Sequence, residues 1–251
     1  MDAHNPKDIV RRGYDAVSLR YDQVYGAETT YQRLLGDLRR RTPAGGTVLD
    51  LGCGSGVPVA RTLTDAGHQV TGIDISGVQI CRARELVPQA EFIHVDATAA
   101  TFDLASFDAV VSFYALIHVP LAEQPSLLRK IAEWLRPGGW FVATTGHCAW
   151  TGVEEDWLGG GAPMWWSHAD AATNRKWIAQ AGLPLSGRSS YRKGAGAMPC
   201  SLPACRSVPR DRHTADHRAA DRHALTGQLP AGGHSAETQG REQPQLSRST
   251  T

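Results

Sequence analysis

The sequence lacks any run of about 18 apolar residues, the length that a membrane-spanning helix requires. Its first ten residues are polar and contain no apolar core of a secretory signal. Five cysteines are scattered without the spacing of a disulfide framework, as is typical of a reducing compartment. A net charge of +1 argues neither for nor against a nucleic-acid partner. We therefore expect a cytoplasmic protein with no membrane or nucleic-acid partner.

Aromatic residues are nearly missing from the C-terminal quarter. All seven Trp and all five Phe lie before residue 178, whereas residues 186–251 contain one aromatic residue, Tyr191, and no Ile. This segment holds ten Arg or Lys against five Asp or Glu, a net charge of +5. Such a composition cannot bury enough apolar surface to offset the entropy cost of ordering. We predict a disordered basic tail over residues 186–251.

A glycine cluster follows the first strongly apolar run. Residues 48–56 read Val-Leu-Asp-Leu-Gly-Cys-Gly-Ser-Gly, and a helix-like segment comes next. Gly52, Gly54 and Gly56 remove side chains where the backbone bends sharply and approaches a ligand. The ligand would then lie at a helix N-terminus, beyond the carboxyl end of a strand. A second apolar run ends at Asp74, where a carboxylate can accept the hydroxyls of a ribose.

The glycine spacing separates this loop from two common nucleotide sites. A dinucleotide fingerprint needs a third glycine where Val57 stands, and no Lys-Ser or Lys-Thr pair follows as in a phosphate loop. Asp50 opens the loop and suits a cationic ligand group better than a phosphate, which it would repel. A NAD(P)-binding oxidoreductase is therefore the less favoured alternative.

Five motifs occur in order along the chain. They are VLDLGCGSG at 48–56, GIDIS at 72–76, FIHVDA at 92–97, FDAVVSFYALIH at 107–118 and LRPGGWFVAT at 135–144. In this order they resemble the class I S-adenosylmethionine-dependent methyltransferases, in particular the small bacterial enzymes that act on small molecules. The resemblance runs from about Asn5 to about Leu183. It implies transfer of a methyl group from S-adenosyl-L-methionine to a small-molecule acceptor, which the sequence does not name.

Strands alternate with helices along the body of the chain. We predict an α/β fold with a doubly wound, mostly parallel, Rossmann-like sheet and helices on both faces. The predicted strands are 47–51, 69–74, 91–95, 109–113 and 140–145. The predicted helices are 5–19, 28–41, 57–66, 76–86, 121–135 and 170–181. We divide the chain into an N-terminal helical cap over the cofactor site (1–43), a methyltransferase core (44–185) and the tail (186–251).

The family resemblance also implies a sixth strand and an antiparallel seventh that close the sheet. Residues 184–251 contain no apolar run that predicts the seventh, so we expect the final strand or strands to be missing. A methyltransferase fold that is catalytically dead because these strands are lost is an alternative. One hypothesis is a reading-frame shift. Codons exist for residues 190–201 that, read two bases later, spell V-P-E-G-x-G-G-H-A-L-F, which is similar to the family's closing hairpin. The nucleotide sequence tests this hypothesis.

The resemblance implies roles at the methionine end of the cofactor. Gly52, Gly54 and Gly56 would form the floor under the methionine part, and Asp50 would face its ammonium group. Phe113 would line the side toward the transferable methyl. The alternative for the glycines is a plain turn between a strand and a helix.

The resemblance also implies roles at the nucleoside end. Asp74 would take the ribose hydroxyls, and Ile75 would cover one adenine face. Asp96 would accept a hydrogen bond from the adenine amino group, and the backbone N–H of Ala97 would reach the ring. The alternative for Asp96 is a cap on the turn that follows it.

Candidates for contact with the acceptor come from two regions. In this family the segment with Tyr14 and Tyr21 folds over the cofactor, and either tyrosine could touch the cofactor carboxylate or the acceptor; we assign Tyr14 to the cofactor and Tyr21 to catalysis. His118 ends the fourth-strand motif and could act as a general base near neutral pH. The alternatives are an amphipathic packing helix and a histidine that caps a turn. His147 is a second candidate base.

Two other segments have a possible functional pattern. Residues 150–168 form a long insertion that we predict to be a lid, with the alternative that its tryptophans fill the core. Its possible pocket residues are Trp157, Met164, Trp165 and Trp166, with Glu154 and Glu155 favouring a cationic acceptor. In the tail, Cys200, Cys205, His213 and His217 have a central gap shorter than the roughly twelve residues of a zinc finger. We therefore expect no metal site.

Overall fold

The structure, a computed structural model, describes residues 5–25, 30–183, 185–189 and 222–228. Its helices are α1 (Pro6–Tyr25), α2 (Thr30–Arg41), α3 (Val59–Asp65), α4 (Gly77–Leu86), α5 (Gln124–Trp134) and α6 (Ala171–Gln180). Its strands are β1 (Thr47–Leu51), β2 (Gln69–Asp74), β3 (Glu91–His94), β4 (Phe107–Ser112), β5 (Leu135–Gly146), β6 (Trp150–Glu154), β7 (Met164–His168), β8 (Leu185–Ser189) and β9 (Arg222–Gln228). Short 3-10 turns lie at Leu116–His118 and Trp157–Gly159. No helix in these ranges is both long and apolar enough to cross a membrane.

One sheet has the strand order β3-β2-β1-β4-β5-β9-β8. Strands β1 to β5 are parallel, and β1 lies between β2 and β4. The direction of winding changes between β1 and β4, so a crevice forms beyond their carboxyl ends, where ligands of doubly wound sheets bind. The predicted α/β fold with a mostly parallel sheet is confirmed.

Apolar side chains cover both faces of this sheet. Val48 belongs to a buried cluster that includes Leu35 of α2 and Leu63 of α3. Its neighbour Leu49 belongs to a second cluster that includes Ile131 of α5. Successive residues of a strand point to opposite faces, so each face needs its own layer of helices. This requirement produces the predicted helices on both sides of the sheet.

A local capping residue sets the start of α4, whereas a contact with another helix extends the end of α1. Ser76 precedes α4, and its hydroxyl accepts the N–H of Gln79 at 3.1 Å, which confirms the predicted cap. α1, predicted to end near residue 19, continues to Tyr25. Arg82 of α4 donates to the carboxylate of Asp22 at 2.5 Å, which stabilises these additional turns.

The closing part of the sheet corrects the prediction that its final strands are missing. β9 lies between β5 and β8 and is antiparallel to both, with Trp140 opposite Gln228 and Gly146 opposite Arg222. β8 and β9 thus occupy the positions that the family resemblance implies for the sixth strand and the antiparallel seventh strand. A search for apolar runs does not detect β9 because main-chain N–H and C=O groups pair along a strand edge whatever the side chains are.

Several predictions for the tail fall on undescribed parts of the chain. The frame-shift hypothesis concerns residues 190–201, and the expected disorder concerns mainly 190–221 and 229–251, which lie outside the described residues. The four possible zinc ligands, Cys200, Cys205, His213 and His217, also lie outside them. In the described ranges, no group of three or more His, Cys, Asp or Glu side chains is arranged to hold a metal ion.

Candidate cofactor and acceptor site

A cavity that is partly open to solvent lies beyond the carboxyl ends of β1, β2, β3 and β4. α1 passes over it and contributes part of its wall. Of the residues predicted to bind the cofactor, taken together with Tyr21 and His118, all except Gly56 line this cavity. They are Tyr14, Tyr21, Asp50, Gly52, Gly54, Asp74, Ile75, Asp96, Ala97, Phe113 and His118. The structure thus brings together residues from five separate segments of the chain.

The glycine loop approaches its neighbours too closely for larger residues. Gly52 has a φ of +75°, and a Cβ atom added there would lie 2.2 Å from the Cβ of Ala115. Gly56 has a φ of +77° and packs against Phe92 away from the cavity, where an added Cβ would lie 3.0 Å from the ring. Gly56 therefore serves the turn, whereas Gly52 lines the cavity with bare backbone.

Asp50 is a buried carboxyl group at the floor of the cavity. Its side chain is 2% exposed, and its Oδ2 atom has no hydrogen-bond partner. Burial, with a further contribution from the charge of Asp74, raises the pKa of Asp50 to about 8. A buried carboxylate without compensation is costly. This site therefore fits a ligand that brings a positive charge to Asp50, as the ammonium group of S-adenosylmethionine would.

Asp74 lies at the carboxyl end of β2 and fastens the loops on either side. Its Oδ2 accepts the N–H of Gly54 at 2.9 Å, and its Oδ1 accepts the N–H of Ser76 at 2.8 Å. Burial raises the pKa of Asp74, against the opposing effect of these two bonds. Each carboxylate oxygen can accept a second bond. The carboxylate is therefore oriented and retains acceptor capacity toward the cavity, as a ribose-binding residue requires.

Asp96 is joined to Lys7 of α1, which is not among the predicted site residues. The Lys7 ammonium donates to Asp96 Oδ2 at 2.8 Å, to the hydroxyl of Thr98 at 2.6 Å and to Glu123. Burial by itself raises the pKa of Asp96, but the bonds from Lys7 and Thr98 outweigh it and hold this pKa below its usual range. One signal was present in the sequence: a cation in the first turn of a helix is unfavourable unless an acidic group binds it.

Tyr14 and His118 form a hydrogen-bonded pair at the cavity wall. The Nδ1 atom of His118 lies 2.7 Å from the carbonyl oxygen of Trp165, and its Nε2 atom lies 2.9 Å from the hydroxyl of Tyr14. A carbonyl only accepts, so Nδ1 carries the proton and Nε2 is the basic nitrogen that accepts from Tyr14. The structure thus directs the basic nitrogen of a buried histidine toward the cavity side.

Tyrosines dominate the part of the cavity under α1. Five of the six tyrosines in the chain line it. They are Tyr14, Tyr21, Tyr25, Tyr31 and Tyr114. The rings of Tyr14 and Tyr21 have centroids 5.8 Å apart, and Tyr31 stacks on Phe113 at 4.9 Å. This wall is suited to a flat or cationic group.

The predicted lid is wrong, and its alternative is observed. β6 and β7 form an antiparallel hairpin that packs on α1, and the buried Trp157, Met164 and Trp166 lie in one cluster with Val17. Neither these side chains nor that of Trp165 line the cavity. Their large apolar surfaces are stabilised by burial behind the tyrosines.

Other candidates on and near this insertion also lie away from the cavity. Glu154 and Glu155 do not line it. His147, the second candidate base, is exposed and likewise absent from the cavity wall. The insertion does contact one residue of the cavity wall, because the main-chain carbonyl of Trp165 pairs with Nδ1 of His118.

Comparisons with known proteins agree with this geometry. The family model described as a methyltransferase domain matches residues 48–139. The 27-O-demethylrifamycin SV methyltransferase of Amycolatopsis mediterranei is 34% identical over 161 residues, which cover 55% of this chain and 58% of the relative. The ubiquinone biosynthesis O-methyltransferase of Albidiferax ferrireducens is 37% identical over 109 residues, covering 41% of this chain and 42% of the relative. The chain thus spans about half the length of these curated relatives.

A solved structure extends the likeness to the fold. One such structure is the 1,6-didemethyltoxoflavin-N1-methyltransferase of Burkholderia thailandensis, solved with 1,6-didemethyltoxoflavin and S-adenosylhomocysteine. It superposes on this chain with a TM-score of 0.63, and the aligned region covers 92% of this chain and 92% of that protein. At 15% identity this likeness shows the fold alone. Residues 48–139 are thus similar to a methyltransferase domain, and the strand order and the cavity agree with that likeness. The predicted resemblance to class I S-adenosylmethionine-dependent methyltransferases is confirmed.

Proposed function

We propose that this chain is an S-adenosylmethionine-dependent methyltransferase that acts on a small-molecule acceptor. The observation that carries the proposal is Asp50, a buried carboxyl group with an unpartnered oxygen beside bare glycine backbone. A cationic ligand end at Asp50 and a ribose at Asp74 together match this cofactor, whereas a pyrophosphate at the glycine loop would meet the carboxyl group of Asp50 instead of a positive charge. The oxidoreductase alternative is not favoured for the same reason.

When bound, S-adenosylmethionine supplies a methyl group that its sulfonium makes electrophilic. The protein's own residues then bind, orient and exclude water. Asp50, Gly52 and Asp74 would hold the amino acid and ribose parts, and Asp96 and Ala97 would hold the adenine. α1 covers the cavity, which lowers the access of water to the reacting groups.

His118 is the proposed proton acceptor of the reaction. Its Nδ1 proton is held by the carbonyl of Trp165, so Nε2 can take a proton from an acceptor hydroxyl or amine as the acceptor attacks. Tyr14, which donates to Nε2, would yield this position to the acceptor or relay the proton to it. Tyr21 lies beside Tyr14 and would contact the acceptor by its ring, a steric rather than a proton-transfer role.

The chemical class of the acceptor follows from the wall and from the relatives. Five tyrosines favour an aromatic or otherwise flat molecule. The relatives include an O-methyltransferase and an N1-methyltransferase by name, so a hydroxyl group or a nitrogen is proposed as the methyl acceptor. The cysteines of the described part of the chain, Cys53, Cys81 and Cys148, are free thiols, which supports the proposed cytoplasmic location.

A calorimetric titration of the full chain with S-adenosylhomocysteine tests the cofactor. We expect saturable binding that Asp74→Ala abolishes and that Asp65→Ala, a change at an exposed position on α3, leaves within twofold. Asp74→Asn, which keeps the size of the side chain, separates loss of charge from loss of loop packing. NADH titrated in parallel should not bind. A folded wild-type chain that binds NADH but not S-adenosylhomocysteine would overturn the proposal.

A further inference from the structure

Lys7 connects three segments that are distant in sequence. It lies in the first turn of α1, yet its side chain is only 17% exposed. Its ammonium binds Asp96 and Thr98, which follow β3, and also Glu123, which precedes α5. A solvated lysine would not lose its rotamer freedom in this way, so the three bonds must offset that entropy cost. Lys7 is therefore a specific cross-link and not a solvated surface charge.

The cross-link controls how the Asp96 carboxylate is presented. Oδ1 of Asp96 accepts the N–H of Thr98 at 2.9 Å, and Oδ2 accepts the ammonium of Lys7 at 2.8 Å. With both oxygens held and a cation bound to one of them, the carboxylate remains ionised and can only accept. Without Lys7, Asp96 and Glu123 would be two carboxylates near each other with no cation between them. Such a pair shares a proton or moves apart.

We propose that Lys7 is a cofactor-positioning residue: it bridges Asp96 and Glu123, fixes Asp96 as an acceptor for the adenine amino group, and ties α1 over the adenine end of the cavity. This inference rests on the proposed function, because Asp96 and the cavity are there assigned to adenine. It adds a residue of the helical cap to the recognition of the base. Lys7 acts through Asp96 and takes no part in methyl transfer.

The remaining anchors of α1 make the effect of Lys7 separable from folding. Asp15 accepts the hydroxyl of Ser76 at 2.6 Å, and Arg82 donates to the hydroxyl of Ser18 at 2.7 Å. These bonds join the middle of α1 to α4 and do not involve Lys7. Loss of Lys7 should therefore loosen the first turn and Asp96 and leave the helix in place.

The test compares two ligands on the full-length chain. S-adenosylhomocysteine carries the adenine amino group, whereas S-inosylhomocysteine carries a carbonyl there and cannot donate to Asp96. A hydrogen bond to a charged group contributes about 1.5–3 kcal/mol, so wild type should prefer the adenosyl ligand by about tenfold or more. Lys7→Met should weaken the adenosyl ligand by about tenfold and the inosyl ligand by less than about threefold, which reduces this preference. Lys7→Arg, which keeps the cation, should restore most of it.

The matched control is Arg12→Met, which removes one cation from the same helix. Arg12 is 55% exposed and pairs with Asp8 within α1, so neither ligand should change by more than about twofold. An unchanged preference in Lys7→Met, or an equal loss of both ligands, would overturn the inference and leave Lys7 with a structural role. A folded wild type that binds neither ligand would overturn the proposed function itself, and the inference with it.

Discussion

A methyl group added at Gly52 should be far more damaging than one added at Gly67. Both glycines have positive φ angles, +75° and +86°. A Cβ at Gly52 would lie 2.2 Å from the Cβ of Ala115, whereas at Gly67 nothing lies within 4 Å. The two substitutions to alanine therefore share a conformational cost and differ in packing.

The magnitudes follow from these two terms. The left-handed conformation costs an alanine about 1–2 kcal/mol, and overpacking a close contact costs about 1–3 kcal/mol more. We expect Gly67→Ala to lower the free energy of unfolding by about 1–2 kcal/mol and Gly52→Ala by about 2–5 kcal/mol. Because Gly52 lines the cavity, its substitution should also weaken S-adenosylhomocysteine binding, which Gly67→Ala should not affect.

Urea denaturation with matched m-values measures the stability difference, and calorimetry measures the binding. Ala115→Gly removes the methyl group that the new Cβ would strike, so the double variant Gly52→Ala with Ala115→Gly should recover most of the packing term. Equal destabilisation by Gly52→Ala and Gly67→Ala, with no coupling to Ala115, would refute the reasoning.

Three further predictions concern titration, tautomer and packing. Since the pKa of Asp50 is raised to about 8 from 3.8, the folded state keeps a proton that the unfolded chain loses. The free energy of unfolding should therefore fall as the pH rises from 4 to 8. Asp50→Asn should flatten that fall, which urea titrations across this pH range measure. Nitrogen-15 NMR should show His118 protonated at Nδ1, and a ring protonated at Nε2 but not at Nδ1 would contradict its bond to Trp165. Trp157→Ala should cost about 3–5 kcal/mol of stability, whereas Trp150→Ala, at a 45% exposed site, should cost about 1 kcal/mol or less in the same denaturation assay.

Local sequence signals predicted much of the site because parallel strands end at one edge of their sheet. Once the apolar runs before Gly52, Asp74 and Asp96 are recognised as strands, the residues after them must meet. The structure places all three on the cavity wall. Their contacts with a ligand remain predictions, which the titrations above test.

Contacts between distant segments escaped this reasoning. Lys7 has three partners that follow no local pattern, and Trp157 belongs to an insertion whose aromatic content fits a lid and a core equally well. The tautomer of His118 depends on a carbonyl 47 residues away. Each of these outcomes depends on which surfaces the fold brings into contact, and sequence spacing does not encode that directly.

The sequence by itself determined the class of fold, the glycine loop and the acidic residues at the strand ends, because strand periodicity and turn chemistry are local properties. The tertiary structure alone decided that the tryptophans pack behind the tyrosines, that Lys7 holds Asp96, and that β9 completes the sheet beside β5. The physical reason is the same in each case: burial, ion pairing and main-chain hydrogen bonding at a distance depend on neighbours that only folding supplies.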